Sequence, residues 1–447
     1  MKTFGRRDRD TPLSVDAQPV IATERPEAAP VVNTLRDRVL REIDPASAAN
    51  ISTDVLARNI EVLIHQIAND ERLEMSGSEQ ARLAKELADD MTGYGPLQSL
   101  LLDESVSDIM VNAPNKVYIE RRGKIERVAI RFRDADHIAM VGQKIASRVG
   151  RRIDESSPMV DARLPDGSRV NIVFPPLSID SPCISIRRFP SHRYDLAGMI
   201  TNGTMNPGIA RLLEIAAACR LNTLISGGTG SGKTTMLNAM SRFIDTSERI
   251  VTIEDAAELQ LQQPHVIRLE TRPPNLEGNG RVTQRDLLWN ALRMRPDRII
   301  MGEVRGEEAF DMLQAMNTGH DGSISTIHAN SARDGLVRVE NMVQMGHVNL
   351  PIRAIRAQIV SSLDIIVQVE RMRDGRRRLI QMTEVCGLEG DVITTNDIVL
   401  FKYQQDDKNG QIVGMYTSPL AVPKFMDRIA YYGFEQAWRE AMKEAIA

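Results

Sequence analysis

The run Ile225-Ser226-Gly227-Gly228-Thr229-Gly230-Ser231-Gly232-Lys233-Thr234-Thr235 carries the clearest chemistry in the chain. It satisfies the pattern G-x-x-x-x-G-K-[ST] at every fixed position. Glycines let the backbone turn tightly, so that successive N–H groups face a polyphosphate. The start of the helix that follows adds positive potential. Lys233 supplies a point charge for the outer phosphates, and the Thr234 hydroxyl is a ligand for Mg²⁺. Gly227, Gly228, Thr229, Gly230, Ser231, Gly232, Lys233, Thr234 and Thr235 are therefore the candidate phosphate-binding set. A glycine-rich turn with a chance lysine is the alternative. The flanks argue against it, because Leu221 to Ile225 reads as a buried strand and Met236 to Met240 as a helix.

Phosphoryl transfer also needs a metal, charge neutralisation and a positioned nucleophile. Arg298-Ile299-Ile300-Met301-Gly302-Glu303 is an apolar strand ending in an acid, the Walker B pattern with glutamate in place of the usual aspartate. At the carboxyl end of a parallel strand, Glu303 faces the same crevice as the phosphate loop and is placed to hold Mg²⁺ or its waters. Val251-Thr252-Ile253-Glu254-Asp255-Ala256-Ala257-Glu258 closes another strand in clustered acids. Glu254, nearest the strand end, is the first choice to orient and deprotonate the attacking water. Glu258 reads as a residue of a helix start facing solvent. His328 ends a further apolar strand, where its neutral ring is placed to sense the terminal phosphate. His320, between Gly319 and Gly322, reads as a hinge or second sensor.

These residues require strands and helices in alternation, which from Gly208 onward gives a parallel sheet covered by helices. Strands are expected at Arg249–Glu254, Asp297–Gly302 and Ser323–His328, with a mobile loop at Pro273–Gly280. Upstream, residues 1–30 read as a disordered tail, 31–95 as a small helical bundle, 96–190 as an α+β module and 191–206 as a linker. Residues 207–447 read as the nucleotide-binding domain with a C-terminal subdomain. In the module, strands are expected at Asp108–Asn112, Val117–Arg121 and Val128–Phe132, followed by a helix over Asp134–Val149. Shorter strands are expected after Asp364, with Arg376-Arg377-Arg378 as a solvated turn.

Composition bounds the rest. With 447 residues, about three domains are expected. A net charge of -4 gives no nucleic-acid footprint, and the two tryptophans, Trp289 and Trp438, are far apart and make no stacking platform. Cys183, Cys219 and Cys386 are too few and too scattered for a disulfide framework or a four-thiolate zinc site. No run of apolar residues is long enough to span a membrane.

Four boxes occur in order: Gly227 to Thr235, Thr252-Ile253-Glu254-Asp255, Met301-Gly302-Glu303-Val304-Arg305 and Ser325-Thr326-Ile327-His328-Ala329. They resemble the Walker A, Asp, Walker B and His boxes of the secretion ATPase superfamily, which drives type II and type IV secretion and type IV pili. Gly93-Tyr94-Gly95-Pro96-Leu97, Asp108-Ile109-Met110-Val111-Asn112, Met294-Arg295-Pro296-Asp297-Arg298 and Gly319-His320-Asp321-Gly322-Ser323 are similar to the CpaF/TadA branch, the motors of Tad (Flp) pili. The likeness covers roughly residues 35 to 400. It implies an α/β fold with a RecA-like parallel-sheet core, ATP and Mg²⁺ as ligands, and a homohexameric ring. It further implies ATP held between the N-terminal module and the core. The implied partner is an inner-membrane pilus platform, met from the cytoplasmic face without a span of the chain's own and without nucleic acid. On matching strands it makes Arg169, Arg187 and Arg188 the arginines that reach the terminal phosphate, with Arg163 a weaker choice; the physical logic is the planar, permanently charged guanidinium of an arginine finger. Secretion or DNA transfer within the same superfamily, or a nucleotide-gated scaffold with negligible turnover, are the alternatives.

Overall fold

The computed structural model describes residues 28–446 other than 45–47, 49–50, 74, 122, 189–194, 273, 275–278, 347–349, 409 and 420. Nearly all of the tail, most of the loop at 273–280 and the first residues of the linker thus lie outside the described residues. The chain forms two compact units. One gathers the residues up to Tyr118 with Arg127–Val160 and Ile172–Ser185; the other gathers Ile119–Glu126, Asp161–Asn171 and Ile186–Ala447.

In the first unit, helices Ala28–Glu42, Thr53–Asp70 and Gly77–Thr92 bury Leu35, Val39, Leu56, Ile60, Ile64 and Leu87 together. The four-residue spacing within each helix puts these side chains on one face. Ser76 and Glu79 form a capping box at the third helix. Near its end Asp90 meets His137 at 3.0 Å and Arg133 at 2.8 Å. These contacts fasten the bundle to helix Ala135–Arg148, whose N-terminus Asp134 caps through the His137 N–H.

A six-stranded sheet runs in the order β3-β2-β1-β6-β5-β4. Its strands are β1 (Val106–Ala113), β2 (Lys116–Arg121), β3 (Lys124–Arg127), β4 (Met159–Arg163), β5 (Arg169–Val173) and β6 (Cys183–Arg187). The strand expected over Val128–Phe132 is instead β3. Gly123, at φ +79°, closes a tight turn, so pairing with β2 starts at once and is spent by Val128. Phe132 is held off the sheet by its N–H on the Pro114 carbonyl at 2.8 Å.

The second unit holds a nine-stranded sheet, β15-β14-β13-β12-β7-β11-β10-β8-β9. From β12 to β9 neighbouring strands are parallel; β12 to β15 pair antiparallel. The parallel part is β12 (Ile365–Arg371), β7 (Thr223–Gly227), β11 (Ile324–Ile327), β10 (Arg298–Val304), β8 (Ile250–Glu254) and β9 (Val266–Glu270). Leu224 and Ile225, adjacent on β7, enter different buried clusters, as do Ile300 and Met301 on β10. Successive side chains point to opposite faces, so both faces of this sheet are covered.

Buried polar groups align the strand starts. The Asn222 side chain donates to the Met316 and Ser362 carbonyls at 3.1 and 2.8 Å and accepts from the Gly322 and Ser323 N–H groups. Arg298, fully buried, pairs with Glu248 at 2.6 Å and donates to the Ala217 and Gly322 carbonyls. With the amino ends of β7, β11 and β10 fixed, their carboxyl ends meet at one edge.

Two further expectations are corrected. The linker contains a helix, Leu196–Thr201, because Leu196 and Met199 are buried and Asp195 caps it through the Gly198 N–H at 2.8 Å. The strands after Asp364 are not short: β13 (Arg377–Glu389) and β14 (Val392–Asp406) are the longest in the chain's described part, since each shields the other's edge. The order ends with β15 (Ile412–Thr417). Helix Glu435–Ala445 then packs so closely on helix Pro207–Ala218 that a β-carbon on Gly208 would lie 2.3 Å from the Ala445 nitrogen.

Candidate nucleotide site

β7 ends at Gly227 and helix Lys233–Ser241 begins at Lys233, so the phosphate loop sits between a buried strand and a helix N-terminus. Gly230 and Gly232 have φ of +69° and +94°, which side chains with a β-carbon rarely adopt. Gly227 is needed for a different reason: a β-carbon there would lie 2.4 Å from the Val369 carbonyl oxygen on β12. Ser231 is buried and donates to the Gly228 carbonyl at 2.9 Å. Thr229 and Gly230 are exposed, and Gly228, Thr234 and Thr235 are half-buried. Lys233 Nζ donates to the Gly227 and Gly228 carbonyls at 3.0 and 3.1 Å, folding back over its own loop. Burial holds its pKa below the ordinary lysine value against the opposing pull of Glu303.

Register brings the acids to this edge. Ile253 pairs with Met301, which sets Glu254 on β8 beside Gly302 on β10. A β-carbon on Gly302 would lie 2.9 Å from Glu254 Cγ, so glycine on β10 makes room for Glu254 of β8. Glu254 is 2% exposed. Its Oε1 accepts from the Glu258 and Leu259 N–H groups at 2.8 and 2.9 Å, while its buried Oε2 has no hydrogen-bond partner among the described residues. Burial pushes the carboxyl up to about 7, against the lowering effect of those two N–H groups. No helix starts after β8. Residues 256–263 are irregular, and this corrects the reading of Glu258 on a helix start.

Glu303, half-buried, accepts from Arg305 at 2.6 Å, and Arg305 also reaches Asp255 at 3.4 Å. Thr326 Oγ1 on β11 donates to the Gly302 carbonyl at 2.6 Å, tying β11 to β10. His328, half-buried, follows the end of β11 at the same edge. His320 lies at the other end of β11, where its Nδ1 is 3.1 Å from the Ala315 carbonyl oxygen. Since β11 and β7 are parallel, that end is remote from the phosphate loop, and the reading of His320 as a second sensor does not hold.

Arg169 pairs with Glu258 at 3.0 Å, and Arg163 with Glu270 at 3.4 Å. Arg187 is the exposed last residue of β6, and Arg188 follows it half-buried. Residues outside the expected set also border the loop. Arg377 Nε donates to the Gly230 carbonyl at 2.8 Å, so the expected solvated turn is not one. Arg378 in the same run is 5% exposed, bound to Asp374 at 3.0 Å and to the Ile412 carbonyl at 2.7 Å. The basic run was the only signal in the sequence; the pairing of β12 with β7 is what brings it to the loop.

Among the described residues, no three His, Cys, Asp or Glu side chains gather around a metal position. The nearby donors, the Thr234 hydroxyl and the Glu303 carboxylate, are hard oxygens. They fit Mg²⁺, which keeps its waters and is held in part by phosphates, rather than a caged ion.

A phosphate-loop motif at the carboxyl edge of a parallel sheet, with acids at the same edge on β10 and β8, makes this an α/β fold with a RecA-like core. Residues 90–391 match the family described as "Type II/IV secretion system protein", and the chain belongs to it. It is 39% identical over 312 residues to a Mycobacterium tuberculosis protein provisionally described as a conjugal transfer protein, covering 68% of this chain and 88% of the relative. It is 32% identical over 321 residues to the type IV secretion system protein VirB11 of Bartonella quintana, covering 63% and 89%. Among solved structures, the VirB11 ATPase of Brucella suis in complex with sulphate is 30% identical over 64% of this chain and 94% of its own, with a TM-score of 0.35. The pilus retraction motor PilT with bound ADP is 20% identical over 78% and 89%, with a TM-score of 0.48.

Proposed function

We propose that this chain is an ATP-hydrolysing motor of a secretion or pilus machine. One observation carries the reading: a complete phosphate loop shares one sheet edge with Glu254 and Glu303, on strands paired in register. Lys233 exchanges its two loop carbonyls for phosphate oxygens when a triphosphate arrives. Thr234 and Glu303 would hold Mg²⁺, which would supply charge neutralisation on the phosphates. Glu254 Oε2, buried and without a hydrogen-bond partner among the described residues, accepts the proton of the attacking water. Arg169, Arg187 and Arg188 are the candidates for the guanidinium that steadies the terminal phosphate, and His328 senses it. The chain works as a homohexamer against an inner-membrane platform, without nucleic acid.

Turnover of ATP by the purified protein tests this. Lys233→Ala and Glu303→Gln are expected to lose it by two orders of magnitude or more, on the scale of removing one preorganised electrostatic contact, roughly a hundredfold each. Wild-type rates in both variants would discard the site assignment.

The Tad/Flp pilus is the finer reading, on the wording of the four branch motifs. The names of the relatives favour a second one, conjugal DNA transfer or type IV secretion. Deleting the gene in its host separates them: loss of surface pili with normal transfer supports the first, and the reverse supports the second.

A further inference from the structure

Two arginines border the phosphate loop on the side away from the acids. β12 pairs in parallel with β7, and Arg371 and Arg377 are direct partners across the β12–β13 pair. Arg377 Nε holds the Gly230 carbonyl at 2.8 Å, and a β-carbon on Gly232 would lie 3.3 Å from Arg377 Cδ. Arg371 Nη1 is 3.9 Å from the β-carbon position of Gly230, and its Nη2 donates to the Gly123 carbonyl at 3.0 Å. Neither has an acidic partner among the described residues. Their neighbours do: Arg373 pairs with Asp406 at 2.6 Å and Arg378 with Asp374 at 3.0 Å. The bond to Gly230 is the one hydrogen bond the Arg377 side chain makes among the described residues, so both terminal nitrogens of its exposed guanidinium remain open. Two guanidinium groups without an acidic partner at the edge of the loop attract an anion that enters it.

Topology says which part of the anion they meet. β7 lies between β12 on one side and β11, β10 and β8 on the other. His328, Glu303 and Glu254 all belong to the second side. A polyphosphate with its terminal phosphate toward those acids and their metal turns its inner phosphates toward β12. We propose that Arg377, seconded by Arg371, binds the inner phosphates that ATP and ADP share, and thereby sets how long ADP is retained. This rests on the nucleotide reading above. Gly230 O fixes the orientation of the Arg377 fork, so occupancy of the loop is felt directly by the β12–β13 hairpin.

The test is equilibrium binding of a fluorescent ADP and of a non-hydrolysable ATP analogue to the full chain with Mg²⁺, followed by stopped-flow ADP release. Arg377→Ala is expected to weaken both nucleotides by the same factor, roughly ten- to a hundredfold for a lost charge-assisted bond, and to speed ADP release accordingly. Arg371→Ala shifts both in the same direction by less, and serves as the second variant where Arg377→Ala does not fold. Arg373→Ala, on the same hairpin, leaves both affinities unchanged. Unaltered ADP affinity in folded Arg377→Ala and Arg371→Ala overturns the proposal, as does a loss confined to the ATP analogue, which marks a contact to the terminal phosphate. A wild-type chain that binds neither nucleotide overturns the parent reading along with this one.

Discussion

Glu254 is where burial and chemistry pull hardest on one residue. Its carboxyl is pushed up to about 7 from an ordinary 4.5, chiefly by burial. The folded state therefore holds this proton more tightly than the unfolded chain, and stability is lost as pH rises from about 4.5 to 7. The loss reaches up to about 3 kcal/mol at alkaline pH, at roughly 1.4 kcal/mol per unit. Glu254→Gln keeps an oxygen for the Glu258 and Leu259 N–H groups and never ionises. It is expected to melt above wild type at pH 8, with the gap closing by pH 5, in paired thermal melts. The same carboxylate must be ionised to take a proton, so wild-type turnover should rise through pH 7 and the Gln variant should lack that limb. A pH-independent stability difference would show that Glu254 is not the group that titrates.

At the scale of elements, the phosphate loop depends on how closely β7 and β12 approach. Gly227→Ala would set a β-carbon 2.4 Å from the Val369 carbonyl, an immovable backbone atom. The strands must part, at a cost of about 1–3 kcal/mol typical of overpacking. Urea melts should show that loss, together with weaker nucleotide binding. A β-carbon on Gly228 meets nothing within 4 Å, so Gly228→Ala should stay within about 0.5 kcal/mol of wild type. Equal destabilisation by the two would mean that backbone freedom, not the β7–β12 approach, decides the loop. The loop, its strand and its helix were legible because the motif demands one local geometry. So were β8, β10 and β11, as apolar runs ending in polar residues. The helix Leu196–Thr201 was not: glycine, proline and asparagine around it read as linker, and only the burial of Leu196 and Met199 makes a helix of them.

At the scale of the whole molecule, the candidate arginines raise the question of which copy supplies them. Arg169 is committed to Glu258 within its own chain. Arg187 is the last residue of β6 and is exposed. If neighbouring copies share sites, a mixture of Lys233→Ala and Arg187→Ala chains forms some sites with every group intact. Such mixtures are expected to hydrolyse ATP several-fold faster than either variant alone; additive rates would place Arg187 in its own chain's site.

The chemistry of this protein was written locally. Glycines with a lysine and a threonine at fixed spacing admit one kind of ligand, and strand-end acids follow from runs of a few residues, because backbone geometry and charge act over short range. What no local pattern could state is which strands lie side by side. That β12 sits against β7, bringing Arg377 to Gly230, and that parallel pairing sends His328 to the loop and His320 to the far edge, come from long-range packing. A residue's distance from a site far away in the sequence is decided by how the sheet closes its hydrophobic faces, and only the folded chain contains that.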